Sequence, residues 1–267
     1  MKKLGRVLTI AGSDSSGGAG IQADIKTITA LGGYAASAIT ALTAQSTEKV
    51  EAIEAVSPYF MMQQAEAVLT DIGADCIKTG MLANSKMIKS VVALAEKYKT
   101  IPLIVDPVMV STSGDLLMEK ESLNVLKNEL FPKSLLITPN ISEAELLAQI
   151  LISGEGGMIK AAESIIEQSN CQAVLVKGGH LKGDTILDVL VTQQGDIERF
   201  TSPRIDTTST HGTGCSLASA IATRIALGET LHQAIIVARD YVHQAIRYAP
   251  NLGKGHGPLN HGWPLNN

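Results

Sequence analysis

Aromatic side chains are scarce in this sequence, and their scarcity bears on which partners the protein can bind. Phenylalanine, tryptophan and tyrosine together make up 3% of the 267 residues. Proteins that bind single-stranded nucleic acid stack bases on such rings, and proteins that bind duplexes carry an excess of basic side chains. Here 22 basic residues are outnumbered by 26 acidic ones. We therefore expect the protein to have no nucleic-acid partner.

Cysteine is also scarce, which argues against a disulfide-stabilised fold and against a zinc site. The three cysteines, Cys76, Cys171 and Cys215, are widely separated in the sequence. A disulfide scaffold needs more cysteines than this, and a zinc site needs closely spaced ligands. We therefore expect neither a disulfide framework nor a zinc ion.

The sequence has little that predicts a membrane helix or a secretory signal. Residues 27–47 carry no charge, but Gly32 and Gly33 interrupt them and polar side chains are scattered among them. This pattern is typical of a helix that ends and a buried strand that begins. The basic residues near the N-terminus precede only a short apolar stretch, unlike those of a signal peptide. We expect a cytoplasmic protein without a membrane partner.

What the sequence does contain is an alternation of short apolar runs with segments of helical period. Continuous apolar runs suit parallel strands that are covered on both faces, and they predict strands at residues 7–10, 34–40, 76–79, 103–106, 135–138 and 173–176. Periodic segments with caps predict helices at residues 19–31, 57–72, 84–98, 213–227 and 230–248. This order predicts a single α/β domain over residues 1–267, with a mostly parallel sheet and helices on both faces.

Polar side chains follow several of the predicted strands. Asp106, Asn140 and Lys177 each lie at or just beyond the end of one strand. In open α/β sheets, ligands bind beyond the carboxyl ends of the strands. These residues are therefore better candidates for a functional site than polar residues on helix faces.

A glycine-rich loop after the first predicted strand contains two incomplete nucleotide-binding patterns. Gly12 and Gly17 have the spacing of a P-loop, but Gly18 and Ala19 occupy the positions of its lysine and its serine or threonine. Gly18 also begins a pattern of dinucleotide-binding folds, yet the acidic residue expected about 20 positions later is missing. A tight strand-to-helix turn that lines a small-molecule pocket explains these glycines as well.

A second glycine-rich loop, THGTGC at residues 210–215, lies directly before a long apolar helix. Its two glycines leave successive amides free to converge where the helix dipole favours negative charge. This arrangement predicts an anion site for a phosphate group. A flexible loop before a helix is the alternative, which glycine composition alone does not exclude.

Six short motifs can be read along the chain in order. They are TIAGSDSSGGAGIQAD at residues 9–24, KTGML at 78–82, VDPVM at 105–109, TPNISEA at 138–144, KGGH at 177–180 and THGTGC at 210–215. Together they closely resemble the signatures of hydroxymethylpyrimidine/phosphomethylpyrimidine kinases, over about residues 5–250. These enzymes belong to the ribokinase-like superfamily, whose members phosphorylate small-molecule hydroxyls with ATP and Mg²⁺. The resemblance implies a ribokinase-like three-layer sandwich that phosphorylates 4-amino-5-hydroxymethyl-2-methylpyrimidine, and then its monophosphate, in thiamine biosynthesis.

The resemblance also implies which residues contact the phosphates. The amides of Gly212, Thr213 and Gly214 are expected to surround the transferring phosphate, and Lys177 is expected to contact the phosphates of ATP. Phosphoryl transfer requires mainly alignment and charge neutralisation, which amides and a lysine supply. The alternative for Lys177 is a solvated lysine at a strand end.

The resemblance places metal and phosphate binding at three further polar residues. Asn140 and Glu143 match the family's Asn-x-x-Glu motif, and Asp106 with Glu143 suffices for Mg²⁺, which prefers one or two carboxylates. Asp106 and Asn140 are also expected beside the phosphates. The alternative is that Asn140 or Ser142 caps a helix whose dipole Glu143 complements.

Cys215 stands where sugar kinases of the superfamily have an aspartate that acts as general base. The resemblance implies that Cys215, with Lys177, is catalytic. A thiol at a helix N-terminus has a pKa below its ordinary value of about 8.5, which favours a thiolate. A thiol that only packs behind the amide pocket is the alternative, because a loose transition state needs little help from a base.

For the pyrimidine substrate, the resemblance implies contacts from Gly12, Asp24, Gln45, Met81 and Val108. The carboxamide of Gln45 offers a donor and an acceptor side by side, which complements the amino group and ring nitrogen of an aminopyrimidine. Met81 and Val108 suit the two sides of a flat ring. Asp24 is also explained as an acidic residue in the first turn of a helix.

Three other functions are compatible with parts of the sequence. A pyridoxal kinase on the same scaffold is the nearest, although AQST at residues 44–47 favours the aminopyrimidine. A non-catalytic metabolite-binding protein and a dinucleotide oxidoreductase are the others. Whether His180 or His211 touches a ligand is left open, since a lone histidine near a loop is more often structural. The family expectation for the assembly is a homodimer.

Overall fold

A computed structural model describes residues 4–109, 120–179, 181 and 183–265. In this part of the chain, the strands are β1 (Arg6–Asp14), β2 (Tyr34–Gln45), β3 (Val50–Ala55), β4 (Cys76–Thr79), β5 (Leu103–Val105), β6 (Leu136–Ile137), β7 (Ala173–Val176), β8 (Thr185–Thr192) and β9 (Ile197–Pro203). The α-helices are α1 (Gly20–Ala30), α2 (Pro58–Asp71), α3 (Ser85–Lys97), α4 (Lys120–Val125), α5 (Ile141–Ala148), α6 (Glu155–Ser169), α7 (Thr213–Ala226) and α8 (Leu231–Arg247).

The chain forms two compact units, which are described separately. Unit 1 comprises Met1–Ala83, Thr100–Pro102 and Ile205–Asn267, and unit 2 comprises Asn84–Lys99 and Leu103–Arg204. The expectation of one domain over residues 1–267 stays a prediction.

Unit 1 is built on the four strands β3, β2, β1 and β4, in that order. β1 is parallel to β2 and to β4, whereas β3 is antiparallel to β2. Helices α1 and α7 pack against each other and against β1, on the face to which Thr9 points. Leu8 and Ile10 point to the opposite face and are fully buried, so that face is covered as well, and α2 packs against β1 and β2.

Unit 2 contains the strands β5 to β9 in sequence order. β5, β6 and β7 are parallel, and β8 and β9 continue the set with antiparallel pairing. Helix α6 packs against β7 and β8, and α5 packs against α6. The carboxyl ends of β5, β6 and β7 therefore lie at one edge of this unit, where the predicted polar residues follow them.

Local capping accounts for several helix starts that the sequence predicts. Ser57 accepts a hydrogen bond from the amide of Phe60 at 3.2 Å at the start of α2. Asn84 accepts one from the amide of Met87 at 3.0 Å at the start of α3. These contacts confirm the predicted starts of both helices, because a side-chain acceptor satisfies an amide without a helical partner.

The strand prediction was wrong at two places in unit 1. The first strand continues past residue 10 to Asp14, because Ser13 and Asp14 pair with Leu42 and Thr43 of a longer β2. The exposed strand β3 was not predicted, and neither were β8 and β9 of unit 2. Among the described helices, none combines the length and the apolar composition required to cross a membrane.

Candidate active site

In unit 1, the carboxylate of Asp14 organises the loop between β1 and α1, here called the first glycine loop (residues 15–19). Asp14 accepts hydrogen bonds from the amides of Ser16 and Ala19, both at 2.8 Å, and from the ring nitrogen Nε2 of His211 at 2.8 Å. Burial acts to raise the pKa of Asp14, but the hydrogen bonds from His211, Ser16 and Ala19 outweigh it and lower the pKa to about 2. Asp14 is therefore an ionised acceptor at neutral pH.

The first glycine loop contacts the segment that leads into α7. This segment, residues 208–212, is here called the second glycine loop, and it includes the first three residues of the THGTGC motif. Gly212 is the N-cap of α7 and has a φ of 83°, and a Cβ atom there would overlap the carbonyl oxygen of Gly18. Gly20 has a φ of 56°, and its Cβ atom would overlap the carbonyl oxygen of Gly12. Both positions therefore require glycine, because a side chain would prevent the approach of the two backbones.

The start of α7 has the geometry that the sequence predicts for an anion site. The first amides of a helix have no acceptor within it and carry the positive end of its dipole. Of the expected phosphate ligands, Gly212, Thr213 and Gly214 lie here, although the amide of Thr213 also donates to the Thr210 carbonyl at 3.3 Å. Cys215 is the third residue of α7 and is half-buried.

Gln45, expected to contact the pyrimidine, lies at the end of β2 beside both glycine loops. Its backbone amide donates to the Ser15 hydroxyl at 2.8 Å, and that hydroxyl donates back to the Gln45 carbonyl at 2.9 Å. The Gln45 side-chain nitrogen lies 3.4 Å from Nε2 of His211. The expected substrate residue and the loop that begins α7 are therefore in direct contact.

Gly12 and Met81, two more of the expected substrate residues, lie against each other. A Cβ atom on Gly12 would come within 2.9 Å of the Met81 methyl group. The Met81 backbone is held by Thr40, whose hydroxyl donates to the Met81 carbonyl at 2.7 Å. The absence of a side chain at residue 12 therefore provides the space that Met81 occupies.

Asp24 lies deeper in unit 1 than its expected role suggests. It is fully buried and forms an ion pair with Lys78 at 2.8 Å. Its oxygens also accept hydrogen bonds from Thr9 at 2.5 Å and from Ser219 at 2.7 Å. Because α1 begins at Gly20, Asp24 lies beyond the first turn and does not serve the helix dipole. Its contact with the pyrimidine stays a prediction.

In unit 2, the residues expected to bind phosphate and metal converge on Asp106. Lys177 donates to Asp106 at 2.9 Å and Thr138 donates to the same oxygen at 3.0 Å. The lysine is not a solvated strand-end residue, since its side chain is 15% exposed and that of Asp106 is 4% exposed. Val108 is half-buried beside this cluster, and its amide donates to the Asp106 carbonyl at 2.9 Å.

Asn140 and Glu143 cap the start of α5 reciprocally. The Glu143 amide donates to the Asn140 side chain at 2.9 Å, and the Asn140 amide donates to the Glu143 carboxylate at 2.8 Å. Burial raises the pKa of Glu143 to about 7 and Asp106 adds to the rise, while the charge of Lys177 and two backbone amides oppose it. The capping alternative is thus confirmed, and the metal role of Glu143 stays a prediction.

Two further observations bear on the expected metal and histidine sites. Within the described ranges, no group of three or more histidine, cysteine or carboxylate side chains is placed to hold a metal ion. Mg²⁺ takes one or two carboxylates with phosphate oxygens and water, so Asp106 and Glu143 still match its chemistry. His180 lies outside the residues that the structure describes.

Sequence reasoning missed three residues that hold the site together. Asp14, Lys78 and Thr138 lie within the motifs, but none of them is among the predicted site residues. A charged residue inside an apolar or glycine-rich motif is a usable signal, because a buried charge requires a partner. That signal applies to Asp14 between Ser13 and Ser15, and to Lys78 after Ile77.

Comparison with known proteins identifies the family. A family model described as phosphomethylpyrimidine kinase matches residues 14–260. The chain is 49% identical over 257 residues to the thiamine biosynthesis bifunctional protein ThiED of Geobacter sulfurreducens. The matched segment covers 96% of this chain but 52% of that protein. It is 43% identical over 256 residues to the hydroxymethylpyrimidine/phosphomethylpyrimidine kinase of Bacillus subtilis, covering 96% of this chain and 94% of that protein. The chain thus spans about half of one curated relative and nearly all of the other.

Solved structures agree with this assignment. A phosphomethylpyrimidine kinase from Clostridium difficile is 40% identical, with a TM-score of 0.80 over 91% of this chain and 100% of that chain. A pyridoxal kinase from Staphylococcus aureus, solved with AMP-PCP and pyridoxal, is 32% identical, with a TM-score of 0.89 over 97% of this chain and 94% of that chain. The predicted α/β, ribokinase-like fold class is confirmed. The chain belongs to the phosphomethylpyrimidine kinase family and is a phosphotransferase.

Proposed function

We propose that the chain phosphorylates 4-amino-5-hydroxymethyl-2-methylpyrimidine, and then its monophosphate, with ATP in thiamine biosynthesis. The observation that carries this proposal is the 3.4 Å contact between Gln45 and His211. It brings a carboxamide suited to an aminopyrimidine next to the loop that begins α7. The same helix start supplies amides suited to a phosphate, and the Cys215 thiol.

In this proposal, the start of α7 handles the transferring group. The amides of Gly212, Thr213 and Gly214 donate to its oxygens, where negative charge is concentrated during transfer. In the first phosphorylation, Cys215 as a thiolate takes the hydroxyl proton as the bond between substrate oxygen and phosphorus forms and ADP leaves. The thiol then returns this proton to solvent.

The cluster in unit 2 is proposed to bind the nucleotide phosphates and Mg²⁺. Lys177 provides the positive charge, Asn140 a side-chain amide, and Asp106 with Glu143 two carboxylates. These carboxylates fit Mg²⁺, which prefers one or two carboxylates together with phosphate oxygens and water. When bound, Mg²⁺ neutralises charge on phosphate oxygens and orients them.

The pyrimidine is proposed to lie against Gly12, Gln45 and Met81 of unit 1, with Asp24 as a further contact, while the expected contact of Val108 stays a prediction. Gln45 supplies hydrogen bonds, while Gly12 leaves room for the Met81 side chain at the ring. With aromatics at 3% of the chain, a pocket lined by aliphatic and thioether side chains is the expected surface for a flat ring.

Pyridoxal is the second candidate substrate. The similarity to the Staphylococcus aureus pyridoxal kinase, with a TM-score of 0.89, supports it. The identities of 49% and 43% to relatives named for thiamine biosynthesis or its pyrimidine kinase favour the aminopyrimidine.

We also propose that two copies of the chain form a homodimer in the cytoplasm. β3 is an edge strand of unit 1, and its apolar residues Val50 and Ile53 are 45% and 50% exposed. A second copy that pairs with this edge would cover them and satisfy the open backbone groups of the strand.

A coupled assay that follows ADP release tests the proposed function. The three substrates to compare are the aminopyrimidine alcohol, its monophosphate and pyridoxal. We expect kcat/KM for the aminopyrimidine alcohol to exceed that for pyridoxal by at least about tenfold. A faster reaction with pyridoxal would reverse the substrate assignment, and no ADP release with any of the three would refute kinase activity.

A further inference from the structure

The hydrogen-bonding partner of the His211 ring determines whether its nitrogen Nε2 carries a proton. The ring nitrogen Nε2 lies 2.8 Å from Oδ2 of Asp14. The same carboxylate accepts hydrogen bonds from the amides of Ser16 and Ala19, both at 2.8 Å, and an ionised carboxylate can only accept. Nε2 of His211 therefore carries a proton and donates, whether the ring is neutral or charged.

The orientation of the Gln45 carboxamide follows in turn. As placed, its NH₂ group faces the donor Nε2 of His211 at 3.4 Å, which sets two donors against each other. Its oxygen lies 3.3 Å from the Thr43 hydroxyl, which already donates to the Ser13 carbonyl at 2.9 Å. Rotating the amide by half a turn removes both conflicts. The oxygen then accepts from His211, and the nitrogen donates to Thr43.

The backbone of Gln45 is also held by hydrogen bonds. The reciprocal bonds with the Ser15 hydroxyl, at 2.8 and 2.9 Å, fix the end of β2 against the first glycine loop. Asp14 and Ser16 hold the same loop from the other side. The backbone from which the carboxamide extends is therefore fixed, and His211 and Thr43 are the side chains that contact the carboxamide.

We propose that His211, held by Asp14, is a positioning residue that fixes the orientation of the Gln45 carboxamide and thereby determines substrate specificity. This inference rests on the proposed function, in which Gln45 recognises the pyrimidine.

A carboxamide of fixed orientation discriminates between ring edges. Its oxygen requires a donor on the substrate, and its nitrogen requires an acceptor beside that donor. An aminopyrimidine presents this pair, as an exocyclic NH₂ next to a ring nitrogen. Pyridoxal has no amino group beside a ring nitrogen, so it cannot satisfy both groups. A carboxamide free to rotate would lose part of this selectivity.

The variant His211→Leu tests the proposal, because leucine fills similar space without a donor. The substrates are the aminopyrimidine alcohol and the same alcohol without its amino group. We expect the ratio of kcat/KM values, amino over des-amino, to fall about tenfold, through a rise in KM for the amino substrate. His211→Gln, whose amide nitrogen reaches the position of Nε2, should restore the ratio. His256→Leu, an exposed histidine nearby, is the matched control and should leave it unchanged.

A purely structural role for His211 predicts a different result. Disturbing the loop before Gly212 would lower kcat/KM for both substrates by the same factor, and an unchanged ratio would overturn the proposal.

Long-range ¹H–¹⁵N spectra provide a readout that needs no turnover. The His211 signal, identified by its loss in His211→Leu, should show a protonated Nε2. An unprotonated Nε2 would refute the proposal even in an active enzyme. No turnover of the pyrimidines by the wild type would refute the proposed function instead, and the spectra would then decide the His211 assignment.

Discussion

The carboxylate of Asp14 links the first glycine loop to His211, and this one side chain makes stability depend on pH. Its pKa is lowered from 3.8 to about 2 in the folded protein. A lowered carboxylate pKa stabilises the fold above the unfolded value, and this contribution is lost as the pH falls through the folded value. The two values correspond to about 2 kcal/mol at neutral pH.

We therefore expect Asp14→Asn to lower the free energy of unfolding by about 2 kcal/mol at pH 7. The difference from wild type should shrink as the pH falls from about 4 to about 2. Urea unfolding at pH 7 and pH 3 measures both values. Asp240→Asn, on the exposed side of α8, is the control and should change stability by less than about 0.5 kcal/mol. A constant difference at both pH values would contradict the role of this charge.

The proposed role of Cys215, removal of the hydroxyl proton, can be tested by removing its thiol. If its thiolate takes the hydroxyl proton, Cys215→Ala should lower kcat by about 10²–10⁴ with little change in KM. Steady-state kinetics between pH 6 and pH 9 measure this change, and Cys171→Ala is the control that removes a buried thiol of unit 2. Near-normal turnover with an unchanged pH profile would show that Cys215 only packs.

At the scale of elements, the ion pair between Asp24 and Lys78 connects α1 with β4. Thr9 of β1 and Ser219 of α7 add hydrogen bonds to the same carboxylate. Both charged side chains are 0% exposed, so neither can turn to water if its partner is lost. The ion pair and its two hydrogen bonds thus connect α1, β4, β1 and α7.

Lys78→Met should destabilise the protein by about 3–5 kcal/mol, because it leaves the Asp24 carboxylate buried and unpaired. The double variant Asp24→Asn with Lys78→Met should be more stable than the single Lys78→Met variant, since no charge is then buried. Urea unfolding measures the free energy of unfolding of the wild type, of the single variants Asp24→Asn and Lys78→Met, and of the double variant. A double variant whose destabilisation equals the sum of the single ones would show that the two charges do not interact.

The elements that the sequence predicted best are those with local signals. The starts of α2 and α3 were found from Ser57 and Asn84, whose side chains cap their own helices. The strand β3 was missed because all six of its residues are exposed and it lacks the alternation of a half-buried strand. Its conformation follows from antiparallel pairing with β2, which its own six residues do not indicate.

At the scale of the whole molecule, the candidate site was predictable only where its residues lie in contiguous motifs. Gly212, Gln45 and Lys177 could be named because each belongs to a short segment with a recognisable pattern. The bond between Asp14 and His211 joins residues 197 positions apart, and no local pattern indicates it. The same limit applies to Asp24, whose position in a helix suggested a dipole role while its partner lies 54 residues away.

The close backbone approaches at Gly212 and Gly20 have a consequence for divergence among distant relatives. At Gly212 and Gly20, even one methyl group would collide with the carbonyl oxygen of another segment, and no rotamer relieves such a collision. Selection for folding alone therefore keeps glycine at both positions, whatever substrate a descendant uses. The glycine spacing should persist as the surrounding side chains drift, and it marks shared ancestry more durably than it marks pyrimidine phosphorylation.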